Sequence, residues 1–385
     1  MKYWFFSVII GACCLCSPAL ARACDFCTNQ GPPLTKEINA ANLVVFGKIT
    51  DARLGPDGIK GSSEFSVETV LHGERNSIKG GKIVLPRYVP PVPGVKYVIF
   101  LDVSQGQFDP YRSIVCSSDR LVQYVQKMPA LTGAGTPAER QARLKFVFDY
   151  FQDAEPELAA DAYKEWAIAS NQDVAALASQ LDPEKLRRWL LDPKTPNHCL
   201  SLYSYLLGAC GKAEDIALLK NLALKPPDAR YAGALDGIMA GVLAGVHRQD
   251  AAEVWNLART ILVDKQRSFT ERYGVLRFLR FQYEVDNAVN RKQIIACVDQ
   301  MIDLPDMIDL AIGQLRTWKC WDQQERIFKL FDSPVAEAPI TRSAVVKFAL
   351  KCPSDEAKQF IARARLKDAK LVQDVEESLE LFEKP

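Results

Sequence analysis

The side chains able to carry chemistry in this chain are few: eleven cysteines, three histidines and scattered acidic clusters. The most suggestive spacing is Cys24-Asp25-Phe26-Cys27. A Cys-x-x-Cys pair does dithiol redox chemistry when a helix N-terminus lowers its thiol pKa. Here Thr28-Asn29-Gln30-Gly31-Pro32-Pro33 follows, a loop sequence. Thr28 also stands where covalent c-type haem attachment needs a histidine. The pair therefore reads as a structural disulfide element ahead of a redox or metal pair. His72 precedes Gly73 as a turn residue, His198 sits beside Cys199 at a helix start, and His247 ends a small-residue helix. Asp303, Asp306 and Asp309 flank Pro305 and read as a solvated helix start. Trp318 and Trp321, three apart, read as a core stripe on one helix. Gly208-Ala209-Cys210-Gly211-Lys212 lacks the spacing and the Ser or Thr of a phosphate loop and reads as an inter-helix turn. No H-E-x-x-H or G-x-S-x-G is present. No set of nucleophile, base and orienter can be assembled, so the expectation is a protein that is not an enzyme and takes no cofactor or metal.

The elements that must position such residues begin with an export signal. Lys2 is followed by Trp4-Phe5-Phe6-Ser7-Val8-Ile9-Ile10-Gly11, then Pro18 and Ala21-Arg22-Ala23. That is the charged, apolar and small-residue order of a secretory signal peptide over residues 1–23. Cleavage after Ala23 leaves Cys24 at the N-terminus of a secreted or periplasmic chain. The alternatives are an uncleaved anchor and a lipidated Cys24, which Ala21 and the bulky, charged Arg22 disfavour. Lys and Arg number 48 against 47 Asp and Glu, and 46 against 47 once Lys2 and Arg22 are removed. That balance offers no basic field for nucleic acid. Eight cysteines remain after cleavage, three before residue 130 and five beyond it, and export permits disulfides.

Leu43-Val44-Val45-Phe46-Gly47-Lys48-Ile49, Phe65 to Leu71, Lys82 to Leu85 and Val95 to Leu101 read as strands. They are separated by turns at Pro56-Asp57-Gly58, Gly80-Gly81 and Pro90-Pro91-Val92-Pro93-Gly94. Short strands at this spacing indicate a small barrel or sandwich. The stiff Pro86-Arg87-Tyr88-Val89-Pro90 segment makes Arg87 and Tyr88 candidate partner-contact residues, against a plain connection. A short helix is expected from a Ser118-Asp119 cap to about Lys127, and the Pro- and Gly-rich 129–137 reads as a linker.

Taken together, Cys24 to Cys27, Ala41 to Ile49, Phe65-Ser66-Val67-Glu68-Thr69-Val70-Leu71-His72-Gly73 and Gly94 to Leu101 resemble the netrin-like module. This is the OB-type barrel of the tissue inhibitors of metalloproteinases, and the likeness spans residues 24–128. It implies a metalloprotease inhibitor acting through the Cys24 terminus. The chain departs from it in spacing its first cysteines Cys-x-x-Cys, and in placing Asp25 where an acidic group would face a protease's catalytic glutamate. The resemblance also implies that N-terminal cysteines are bridged to later cysteines of the module. Cys24, Cys27 and Cys116 are the disulfide candidates: Cys27–Cys116 is favoured, Cys24–Cys116 is the alternative, and Cys24–Cys27 is the remaining pairing. The terminal segment makes Cys24 and Asp25 further candidate contacts.

After Pro137 the apolar period becomes helical, over Ala138 to Phe151, Glu155 to Ala169 and Glu184 to Leu191. Segments beginning near Arg230, Arg272, Asp309 and Arg342 align at spacings of 42, 37 and 33 residues, each followed by a second helical run. Helix pairs at this period mark a HEAT-like solenoid over 138–385. The fold expected is thus a small all-β OB-like barrel followed by an all-α HEAT-like solenoid. The whole chain also resembles exported proteins of planctomycete type, a likeness that implies architecture and no mechanism. The function expected is an exported scaffold binding another protein, with metalloprotease inhibition as the alternative.

Overall fold

Apolar–polar alternation punctuated by Gly and Pro turns produces a five-stranded antiparallel sheet, seen in a computed structural model. The structure describes residues 31–382 except 59, 75–77, 105–106, 117, 132, 247–250, 286–289 and 335–337. Helix α1 (Leu34–Ala40) precedes strands β1 (Leu43–Leu54), β2 (Gly61–His72), β3 (Lys82–Leu85), β4 (Lys96–Ser104) and β5 (Gln107–Cys116). Their spatial order is β3-β2-β1-β4-β5, so β1 is central and β3 and β5 are the edges.

Successive residues of a strand face opposite sides, and here both sides of the central strands are covered. Leu43, Val45, Ile49, Phe65, Ile83, Leu85, Ile99 and Leu101 form a small core on one side of the sheet. Val44, Phe46, Val98, Phe100 and Cys116 point the other way, into a core that continues through the helices. This explains why Leu43 to Phe46 is uninterruptedly apolar where a one-sided strand would alternate.

The barrel expected from the sequence is not closed. β3 pairs only with β2, and β5 only with β4. β3 is four residues long and runs directly into Pro86 and then Pro90-Pro91-Val92-Pro93, while Pro110 interrupts the facing edge of β5. Prolines offer no N–H to a ladder, so the gap between these strands remains a seam.

Beyond the sheet the chain is helical. The first helices are α2 (Arg120–Lys127), α3 (Pro137–Phe148), α4 (Pro156–Ala167), α5 (Asn171–Leu177), α6 (Pro183–Leu191), α7 (Cys199–Cys210), α8 (Ala213–Leu224), α9 (Ala229–Gly233) and α10 (Leu235–Gly245). They continue as α11 (Ala251–Val263), α12 (Phe269–Val285), α13 (Arg291–Gln300), α14 (Ile308–Thr317), α15 (Gln324–Leu330), α16 (Pro339–Lys351), α17 (Asp355–Lys367) and α18 (Ala369–Phe382). Local sequence sets their starts. Proline occupies the first turn of α3, α4, α6 and α16, where the missing N–H costs nothing. Thr136 and Glu139 form a capping box on α3, and Ser170, Asp182, Asp228 and Ser354 cap α5, α6, α9 and α17.

The aligned segments fall at the starts of α9, α12, α14 and α16. Helices stack in a row, α7 on α10, α10 on α12, α14 on α16 and α16 on α18, while α11 packs on α13 beside it. Arginine–carboxylate pairs stitch neighbouring turns of the array: Arg187–Asp215 at 2.7 Å, Arg277–Asp236 at 3.0 Å, Arg326–Asp299 at 3.1 Å and Arg272–Asp306. At the α7–α10 crossing the backbones touch. A side-chain carbon added at Gly208 would overlap the Gly241 carbonyl, and one at Gly241 the Ser204 carbonyl. No described helix is long and apolar enough to cross a membrane.

Candidate functional site

The sheet meets the helices through a sealed polar joint. The backbone N–H of Leu34 donates to Asp161 Oδ1 at 2.5 Å, and the Tyr124 hydroxyl donates to Asp161 Oδ2 at 2.7 Å. The Thr35 hydroxyl donates to Glu165 Oε1 at 2.9 Å, and Arg143 donates to both Thr35 and Glu165 as well as to the Pro129 carbonyl. Burial pushes the Asp161 carboxyl above its ordinary range against the pull of those donors. Burial likewise raises Glu165, with Arg143 opposing it, and raises the Tyr124 hydroxyl, with the Asp161 charge adding to it. A perturbed carboxylate pair beside Arg and Tyr is the composition of an acid–base site. Yet Asp161 is 2% and Glu165 5% exposed, and each already holds its donors, so no substrate reaches them. Nearby, Arg112 of β5 pairs with Glu37 of α1 and Glu157 of α4 and lies over the Phe100 ring. These contacts fasten the sheet to the first helices.

The open seam is different in kind. It holds a cavity of about 160 Å³ whose lining includes Ile49, Leu85, Val89, Ile99, Pro110 and Tyr111, together with Arg87. In the β4–β5 register Ser113 lies opposite Ile99 and Val115 opposite Tyr97. Opposite residues of an antiparallel pair share a face, so Ser113 and Val115 lie on the side of the small core that holds Ile99. Val115 is nevertheless 66% exposed and Tyr111 50%, at an edge that β3 approaches without pairing. Tyr88 and Val92, on the loop after β3, are also exposed. Ser63 holds this lip in place: its hydroxyl donates to the Arg87 carbonyl at 2.8 Å and accepts the Val89 N–H at 2.8 Å. The Arg87 side chain is exposed and has no carboxylate partner among the described residues. Burial, and then the charge of Asp102, raises the Tyr111 hydroxyl.

A larger groove of about 690 Å³ lies between α15 and α17. Its floor is Phe328, Phe331 and Phe360, with Phe328 stacked on Phe360 at 4.6 Å between centroids. Only ring edges reach the groove, since the three are 4–9% exposed. Its walls carry Glu325–Lys329 and Asp332–Lys367 ion pairs at 2.7 Å each, so most of its charge is already matched within the groove.

The residues singled out in the sequence are therefore distributed. Arg87 and Tyr88 lie on one lip of the seam, and Cys116 belongs to the opposite face of the sheet, buried in the helical core. Cys116 is a free thiol whose Sγ lies 3.7 Å from the Ile114 carbonyl, and burial pushes it up to about 11. Cys24, Asp25 and Cys27, the other residues of the proposed bridge and terminus, lie outside the described residues, as does His247. Cys199 and Cys210 are pushed up to about 12 and Cys297 to about 11, in each case by burial, so none is a thiolate near neutral pH. The His198 ring packs edge-on to Tyr163 at 5.0 Å, and desolvation lowers its pKa. Trp318 and Trp321 do not share a helix. Lys319 takes a left-handed φ of 58° after α14, sending Trp318 onto Tyr283 and Trp321 onto Phe348. Asp303 and Asp306 are ion-pair partners of Arg326 and Arg272, and no metal-binding cluster exists among the described residues.

Sequence reasoning missed the joint and the aromatic floor. Asp161 and Glu165 sit four apart on a helix, a spacing indistinguishable from a solvated face until α1 packs over it. Phe328 and Phe331 sit three apart in sequence, but the groove they floor needs Phe360 from another helix. No family model, no curated protein and no solved structure matches this chain.

Proposed function

We propose that this chain is an exported protein-binding scaffold: a netrin-like, OB-type β-module, open along one seam, carried on a HEAT-like array of helix pairs. The leader-like residues 1–23 support export. The strand order, with β3 facing β5 across the seam, supports the OB-type reading, since that order is the cyclic one of a partly open five-stranded Greek-key barrel. The helix pairs, their register and the arginine–carboxylate stitching support the repeat reading.

One observation carries the binding function. Tyr111, which lines an apolar cavity, and Val115, which faces the same side of the sheet as Tyr97 of that lining, stand half or more exposed beside Arg87, an arginine with no carboxylate partner among the described residues. Apolar surface of this kind, rimmed by polar groups, marks interaction sites.

The test uses the full chain exported from its own cell, carrying a photo-crosslinking residue at Tyr88 or Val115. A discrete protein adduct is expected from both positions and not from Leu366, which is 89% exposed on α17. Adducts no stronger at the seam than at Leu366 would refute the proposal. Inhibition of a zinc protease that is abolished by one extra residue before Cys24 would replace it with the inhibitor reading.

A further inference from the structure

We infer that the seam cavity is a pocket for the carboxy-terminus of a partner polypeptide that ends in an aliphatic residue. The inference rests on the protein-binding reading above and adds the partner's chemistry.

Size and lining set the first requirement. About 160 Å³ corresponds to about five waters at ~30 Å³ each, the room one branched aliphatic side chain fills. Ile49, Leu85, Val89, Ile99 and Pro110 offer it an apolar wall, with the rings of Tyr97 and Tyr111 beside them.

Charge sets the second. Two arginines line the cavity, but they are not equivalent. Arg112 is committed to Glu37, Glu157 and the face of Phe100. Arg87 has no carboxylate among the described residues, although Ser63 fixes its backbone on the seam's lip. Its planar fork is left to meet an anion from outside, and a carboxylate matches that geometry bidentately.

Both requirements converge on one small cavity, which decides the source of the carboxylate. A C-terminal residue carries its side chain and its carboxylate on the same Cα. An acidic side chain next to an aliphatic one would sit on another Cα about 3.8 Å away, and in an extended segment it would point to the opposite face. The terminal residue satisfies the pocket and Arg87 together; the acidic neighbour satisfies one or the other.

The experiment is a methyl NMR titration of the full chain with acetyl-Ala-Ala-Leu as the free acid and as its C-terminal amide. The free acid is expected to shift the Ile49, Val89 and Ile99 methyls. Losing one charge-assisted hydrogen-bonded pair weakens binding about 10- to 100-fold, so the amide is expected to bind that much more weakly. Arg87→Gln, at an exposed position that leaves the core untouched, is expected to bind acid and amide alike. Equal binding of acid and amide to the native chain would overturn the inference, as would shifts confined to methyls elsewhere. Isovalerate binding as tightly as the tripeptide would reassign the pocket to a free small acid. Photo-crosslinks at Tyr88 without discrimination between acid and amide would remove this inference and leave the protein-binding proposal standing. Discrimination without crosslinks would leave a carboxylate pocket with no protein partner, and would overturn both the protein-binding proposal and this inference.

Discussion

Two Gly→Ala substitutions in helices of this protein are expected to act in opposite directions. In both, the alanine gains about 0.5–1 kcal/mol over glycine in a helix interior, because glycine loses more backbone freedom on folding. At Gly313 of α14 no atom lies within 4 Å of the added methyl, so Gly313→Ala should realise that gain. At Gly241 of α10 the methyl would overlap the Ser204 carbonyl of α7, with the Ser204 carbonyl carbon at 2.9 Å and Leu219 Cδ1 at 3.0 Å. Two of these three atoms are backbone, which cannot swing away. Overpacking of this sort costs about 1–3 kcal/mol, more when a helix must move. Taking the upper figure and subtracting the helix gain leaves Gly241→Ala destabilised by about 2 kcal/mol. Gly208, whose own methyl would meet the Gly241 carbonyl, lies at the same crossing. Once one methyl has pushed the helices apart, the second should cost less than it does alone, so the pair should be non-additive. Urea titrations followed by far-UV circular dichroism read the three single variants, the double variant and the native chain. A Gly241→Ala midpoint at or above the native one would refute the close-contact reasoning. Gly313→Ala falling as far as Gly241→Ala would refute the contrast.

Two further predictions concern buried titratable groups. Burial raises Asp161 in the folded chain above its unfolded value, so the native state takes up that proton first as pH falls. The group therefore weighs against stability at neutral pH, and the burden lifts as pH drops through the folded pKa. Asp161→Asn should be more stable than the native chain at pH 7, with an advantage that shrinks toward pH 4; an advantage independent of pH would contradict the assignment. Cys116 and Cys297 at about 11, and Cys199 and Cys210 at about 12, should react with a disulfide reagent at pH 8 on the order of 100-fold or more slowly than a free thiol. Native labelling at the denatured rate would refute this. Peptide mapping without reductant would show directly whether Cys116 instead pairs with Cys27.

Much of this architecture was legible in the amino-acid order, for local reasons. Thr136-Pro137 with Glu139 sets where α3 begins, and Phe65 to Leu71 alternates because one side of β2 is only partly covered. Repeats near Arg230, Arg272, Asp309 and Arg342 mark helix starts because neighbouring pairs face the same packing problem. The scarcity of catalytic side-chain combinations was equally a property of the sequence alone. Whether the sheet closes was not, because closure depends on whether a four-residue strand meets an edge broken by Pro110, a relation between segments some 25 residues apart. The sequence likewise offers Arg87 and Arg112 as equal cations. Only packing gives Arg112 two carboxylates and a ring while leaving Arg87 at the mouth of an apolar cavity. Periodicity and capping act over a few residues and can be read in order along the chain. Desolvation, pairing and exposure depend on what distant segments bring to the same place, and that is settled by the tertiary structure.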